Sequence, residues 1–181
     1  MAVREALEAV GPSYRPFGSE RLIKALAADL PELEQVGTFG WMWTDRPSGR
    51  TGAEWLAAED EPQITALLAA AAPDSYARPG IPGVQRWAGV RDAQGPAAVA
   101  ADAWSSAEIG FLAGVAADPA LRGKGYAAAA CALVIDTLLA DHEAVALMVD
   151  GWNEAAIGLY ARLGMRYEAV AAARIREPGS S

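Results

Sequence analysis

Arg122-Gly123-Lys124-Gly125-Tyr126-Ala127 is the stretch whose reading decides how this chain folds. It follows an apolar run, Ile109 to Ala117, and opens a long apolar-periodic segment, Tyr126 to Leu139. A strand, a short glycine loop and a helix start therefore stand in order. Backbone N–H groups at a helix start have no partner within the helix, and the helix dipole favours negative charge there. Gly123 and Gly125 let a ligand's phosphate approach the backbone. Arg122 and Lys124 add positive charge at the same place. The order predicts a site for a phosphorylated ligand.

The run R-x-x-G-x-A resembles the acetyl-CoA loop of the GNAT family, the Gcn5-related N-acetyltransferases. The lead-in, Val115-Ala116-Ala117-Asp118-Pro119-Ala120-Leu121, looks like that family's strand and the short turn after it. A second stretch, Asn153-Glu154-Ala155-Ala156-Ile157-Gly158-Leu159-Tyr160-Ala161-Arg162-Leu163-Gly164-Met165, is similar to the family's N-x-x-A-x-x-L-Y-x-[KR]-x-G-F run, with Met165 in place of Phe. The two stand in the family's order, separated by one helix and one strand. The resemblance runs from Trp87 to Ile175, extends more weakly back to Glu54, and is not visible in the first fifty residues.

Other phosphate loops fit less well. A Walker A loop needs G-K-[ST], and Gly125 follows Lys124. Gly123 to Ala128 matches the loose dinucleotide pattern G-x-G-x-x-[GA], which should directly follow a strand in a series of βαβ units. Here Asp118 to Leu121 intervene, and only one such unit is visible.

The composition narrows the choice. A length of 181 residues suits one domain with a terminal extension, and 52% hydrophobic residues are ample for a core. The net charge of -8 disfavours nucleic acid as a partner and mildly favours a cationic amine. Cys131 is the only cysteine, which excludes an intramolecular disulfide and a cysteine metal cluster. It reads as a small buried hydrophobe, and His142, the only histidine, as a solvated turn residue after a helix. No metal is expected. The first residues do not read as a secretory signal, and no apolar run reaches membrane-spanning length. A soluble, cytoplasmic protein without a membrane partner is the expectation.

Two regions are expected. Residues 1–50 read as an N-terminal extension: a helix from Glu20 to Leu30, ended by Pro31, and a strand from Val36 to Thr44. This part could pack on the sheet or form half of a homodimer contact. Trp41 and Trp43 share a strand face there. Residues 51–181 read as the acyl-CoA-binding catalytic domain. It holds a short strand at Glu54 to Ala57 and a helix opened by Asp60 as cap and Pro62 in its first turn. A loop spans Pro73 to Gly83, and three close-spaced strands with antiparallel pairing follow between Trp87 and Ala116. After the helix come a buried strand, Val145 to Val149, a helix capped by Asn153 and closed by Gly164, a strand from Tyr167 to Ile175, and a frayed tail, Pro178 to Ser181.

The resemblance implies a mixed α/β (α+β) fold with a mostly antiparallel central sheet flanked by helices. That sheet splays between the Glu108–Ala116 and Val145–Val149 strands. It implies transfer of an acetyl or similar acyl group from acetyl-CoA to an amine of a small molecule or peptide. The loop from Arg122 through Gly123, Lys124, Gly125, Tyr126 and Ala127 would hold the pyrophosphate. Val115, Ala116 and Ala117 would pair with the pantetheine arm, and a backbone N–H near Val115 or Ala116 would polarise the thioester carbonyl. Asn153 matches a CoA-contacting asparagine. Tyr160 matches the tyrosine that serves the departing thiolate, since a thiol titrates near about 8.5 and a phenol near about 10. The family often uses a carboxylate as base, and Glu108 is the candidate, ahead of Asp102, Glu54 and Asp150. Tyr76 and Arg78 on the Pro73–Gly83 loop are candidate acceptor contacts, and Trp152 a candidate wall of the cofactor channel. Two alternatives stay open: a non-catalytic acyl-CoA-binding module with a degenerate acceptor site, and a nucleotide-dependent oxidoreductase.

Overall fold

A meander of three antiparallel strands carries the part of the chain that matters most: β4 (Val84–Asp92), β5 (Gly95–Ala103) and β6 (Ile109–Ala117). In the computed structural model, which describes residues 2–11 and 14–176, the other strands are β1 (Phe17–Ser19), β2 (Leu33–Thr44), β3 (Glu54–Trp55), β7 (Ala144–Val149) and β8 (Arg166–Ile175). The α-helices are α1 (Ala2–Val10), α2 (Glu20–Asp29), α3 (Glu61–Ala71), α4 (Tyr126–Leu138) and α5 (Glu154–Arg162). The fold is mixed α/β with mostly antiparallel strands, as expected. The tail from Pro178 to Ser181 lies outside the described residues.

The chain divides into two compact units. One comprises residues 1–41, 149–154 and 167–181, the other residues 42–148 and 155–166. In the first, β1 pairs antiparallel with β8, Gly18 opposite Ala171, and β2 follows β8 in strand order. Ser19 caps α2 by accepting from the Leu22 N–H, and Ile23 of α2 buries against Ala171 and Ala173 of β8. Phe17 stacks on Phe39 and meets Trp41 edge-on. Gly40 leaves room for the Tyr167 ring: a Cβ there would lie only 2.3 Å from it.

In the second unit the strand order is β7-β6-β5-β4-β3. Ala93 and Gln94 form the tight turn of the β4–β5 hairpin, closed by the Asp92–Gly95 pair. β5 is buried from Ala97 to Ala103 because both of its faces are covered. Val99, Ala101 and Ala103 join Ile64 and Leu68 of α3, Trp87 of β4 and Ala116 of β6 in one cluster. The alternate residues, Ala98 and Ala100, face the opposite way, and α4 packs against β4, β5 and β6. Alanines on both β5 and α4 permit a close approach, and alanine is also the best helix former. Gly110 serves the same packing, since a Cβ there would sit 2.8 Å from that of Leu138.

One detail differs from the sequence expectation. Asp60 precedes α3 but makes no side-chain bond to its N-terminus. Its carboxylate accepts instead from the Ala57 N–H at 2.9 Å and from both terminal nitrogens of Arg91 at 2.9 and 2.5 Å. The Arg91 hydrogen bonds hold that carboxyl below the usual carboxylate range. Trp43 lies half-buried under the Arg166 guanidinium, 4.1 Å from the ring centre.

β6 has a bulge. Val99 pairs with Ala116 and Ala101 with Ala113, so Gly114 and Val115 oppose the single residue Ala100. Gly114 takes φ +60°, and a Cβ there would lie 2.6 Å from the Trp87 ring and 3.0 Å from Ala77. Gly114→Ala should therefore destabilise the protein by about 1–3 kcal/mol. A urea-unfolding midpoint equal to wild type would show that the bulge is not held as described.

Candidate active site

β6 pairs with β7 in parallel only at its start, through Ile109–Ala144, Gly110–Val145 and Phe111–Ala146. Beyond Phe111, β6 continues to Ala117 on its β5 pairing alone. The strands thus separate over Leu112 to Ala117, and the bulge lies within that stretch. Val115 and Ala117 are half-buried and Ala116 is buried in the core.

The chain leaves β6 through a turn fixed by Asp118, whose carboxylate accepts from the Ala120 N–H at 2.8 Å. A short 3-10 turn, Pro119–Leu121, follows. Arg122 is extended, while Gly123 and Gly125 take φ +80° and +81°. At Gly123 a Cβ would meet nothing within 4 Å, so its requirement is conformational. At Gly125 the requirement is conformational too, although a Cβ would lie 2.5 Å from a terminal nitrogen of Arg50, the movable end of an exposed side chain.

Gly125 is the N-cap of α4 and offers no side-chain acceptor, and the first turn of α4 holds no acid. Every other α-helix has a glutamate there: Glu5, Glu20, Glu61 and Glu154. The N–H groups of Gly125 to Ala128 thus face outward with the positive dipole end. Among the described residues, no carboxylate is within ion-pair distance of Arg122, Lys124 or Arg50.

α5 ends in a Schellman turn. The Met165 N–H donates to the Tyr160 carbonyl and the Gly164 N–H to that of Ala161, with Gly164 at φ +84°. This turn fixes Tyr160, which is buried. Burial pushes its phenol up from the ordinary value, and nearby Cys131 adds to the shift. The same burial pushes the Cys131 thiol up to about 12, consistent with an inert core residue. His142 closes the C-terminus of α4, with its N–H and its Nδ1 both at the Leu138 carbonyl.

The structure brings Arg122 to Ala127 together with the freed end of β6 at Val115 to Ala117. It does not bring Glu108 to them. Glu108 is exposed just before β6, its carbonyl accepting from the Glu143 N–H. Val115 lies seven residues further along, about 23 Å at strand rise. Asp102 is buried against Arg86 at 3.2 Å, and Glu54 is held by Arg91 at 2.6 Å. Asn153 stands just before α5, in the other unit with Asp150, whose carbonyl accepts from the Asn153 N–H. Trp152 is 79% exposed.

On the Pro73–Gly83 loop, Arg78 is tied to its own backbone through the Pro73 and Ser75 carbonyls, and Tyr76 is 89% exposed. Instead Pro79 and Gly80 border a cavity of about 170 Å³ together with Glu61, Arg86 and Trp87. Trp104 fixes the end of this loop, packing on Gly83 and donating its indole N–H to the Pro82 carbonyl. Sequence reasoning missed Arg50 and Trp104. The φ of +55° at Trp104, rare for a large side chain, has no sequence signal.

The sequence model of the Acetyltransferase (GNAT) family matches residues 32–165. The chain belongs to the GNAT family of acetyltransferases. The match begins earlier than the resemblance visible in the motifs. A GNAT-family protein of solved structure from Novosphingobium aromaticivorans is 26% identical, with a TM-score of 0.64 over 81% of this chain and 69% of that one. A GCN5-related N-acetyltransferase from Kribbella flavida is 20% identical, with a TM-score of 0.63 over 97% and 73%. The ribosomal-protein-S18-alanine N-acetyltransferase of Escherichia coli is 22% identical, with a TM-score of 0.52 over 71% and 96%. No curated protein matches the chain. Among the described residues, no helix is long and apolar enough to cross a membrane, and no group of three metal-ligating side chains is gathered.

The raised phenol of Tyr160 has a stability consequence. Its effect is complete below the unfolded pKa of about 10 and is lost as pH rises through the higher folded value. Between about pH 9 and about pH 11, wild type should therefore lose more stability than Tyr160→Phe. Urea midpoints that fall in parallel would contradict the buried, protonated phenol.

Proposed function

We propose that this GNAT chain is a cytoplasmic N-acetyltransferase that moves an acetyl group from acetyl-CoA to an amine of a small molecule or peptide. The observation that carries this reading is the open, cationic N-terminus of α4 beside the β6 edge released from β7. The donor set suits the ligand. Backbone N–H groups from Gly123 to Ala127, with Arg122 and Lys124, would hold the pyrophosphate. The β6 edge at Val115 to Ala117 would pair with the amide-rich pantetheine arm as a neighbouring strand would. Acetyl-CoA supplies the activated acyl group as a thioester.

The chain's own residues then have three tasks. The bulge at Gly114 and Val115 opens the ladder locally, and a backbone N–H turned out there would stabilise negative charge growing on the carbonyl oxygen. Tyr160, kept protonated by burial, would donate a hydrogen bond to the departing sulfur and release its proton as thiolate charge develops. The motif match alone proposes Asn153 as a CoA contact. The cavity bordered by Pro79, Gly80, Glu61 and Arg86 is a candidate acceptor region on the loop side. The base is assigned to no residue: Asp102 and Glu54 are engaged by arginines, and Glu108 stands at the far end of β6.

A panel of primary amines with acetyl-CoA, followed by thiol release, tests the reading. Turnover with at least one amine is expected. Tyr160→Phe should lower kcat on the order of 10²-fold with acetyl-CoA affinity kept. Gly125→Asp should abolish binding, because a carboxylate would occupy phosphate space. Tight acetyl-CoA binding without turnover of any amine would favour the non-catalytic module. Unchanged kcat in Tyr160→Phe would return that residue to the core.

A further inference from the structure

Arg50 lies outside both motifs, in the segment between β2 and β3, yet its guanidinium reaches the N-cap of α4, 2.5 Å from where a Gly125 Cβ would stand. The placement is built. Asp136, ten residues into α4, accepts from the Ser48 N–H at 2.6 Å, the Gly49 N–H at 3.0 Å and the Ser48 hydroxyl at 3.4 Å. The Arg50 N–H donates to the Ser48 hydroxyl at 3.2 Å, and Gly49 takes φ +64° to make the turn. Asp136 therefore folds residues 48–50 against the helix and aims Arg50 toward the helix start.

Electrostatics mildly disfavours that aim without a ligand. A cation at the positive end of a helix dipole is repelled. Arg122 and Lys124 already stand in the same loop, and none of the three has a carboxylate within ion-pair distance among the described residues. The chain carries 23 acidic residues, so the lack of a partner does not reflect a shortage of acids. Arg50 thus adds a third cation beside the loop of Arg122 and Lys124, where a bound anion would complement the row of N–H donors.

We infer that Arg50 is a third phosphate-binding cation of the acetyl-CoA site, set over the pyrophosphate by Asp136 acting as its positioning residue. The inference rests on the acetyl-CoA reading above. It assigns a binding role to a segment outside the glycine loop.

Calorimetric affinities for acetyl-CoA and for acetyl-dephospho-CoA, which lacks the 3′-phosphate, test it in wild type, Arg50→Gln, Arg50→Lys and Asp136→Asn. Arg50→Gln should weaken both ligands about tenfold. Arg50→Lys should restore part of the loss. Asp136→Asn should weaken binding in wild type but add little in the Arg50→Gln background. The Tm of the ligand-free Arg50→Gln protein should equal or exceed that of wild type, because a repelled cation has been removed. Equal affinity in wild type and Arg50→Gln overturns the inference while the glycine-loop reading stands. A loss confined to acetyl-CoA overturns the pyrophosphate assignment, and a lowered ligand-free Tm shows a structural role instead. No binding by wild type overturns the acetyl-CoA reading itself, and the inference with it.

Discussion

The N-terminus of α4 concentrates positive charge that no carboxylate among the described residues pairs with. Donor N–H groups, the helix dipole, Arg122, Lys124 and Arg50 meet at one place in a chain of net charge -8. An arrangement of this kind opposes folding slightly and is relieved by an anion. Much of the second unit serves to hold it. Alanines on β5 and α4 bring helix and sheet close together, Gly110 admits Leu138, and Asp118 fixes the turn from β6 into the loop.

The second requirement is an unpaired strand edge leading to that charge. β6 supplies it by leaving β7 after Phe111 and bulging at Gly114. The bulge depends on Trp87, whose ring fills the space that a side chain at residue 114 would need. A glycine and a tryptophan on different strands thus shape an edge that neither could shape alone. The indole nitrogen of Trp87 is buried without a hydrogen-bond partner, so the ring's packing is kept at the expense of one donor.

Legibility in the sequence followed the range of the interaction. Local signals were readable: the apolar periodicity of α4, the glycine loop, the Gly164 stop of α5 and the close strand spacing read between Trp87 and Ala116 all correspond to observed elements. The placement of Cys131 in the core and the position of Asn153 before α5 were legible for the same reason. Long-range pairing was not. Asp60 looked like a helix cap because Arg91, 31 residues away, cannot be read from local pattern. Asp136 carried no sequence signal, because its three donors are 87 and 88 residues distant. Glu108 drew attention as a carboxylate beside the splayed strand, but strand rise sets it at the paired end of β6. Arg50 carried no reading of its own, since nothing in Ser48-Gly49-Arg50 itself says which helix it meets.

One titration bears on all of this: acetyl-CoA into the wild-type protein, followed by calorimetry at low and at moderate salt. The account predicts micromolar affinity that weakens as salt rises, as a site built on several cations requires. No heat of binding at millimolar ligand would contradict it and leave the charged start of α4 without a purpose.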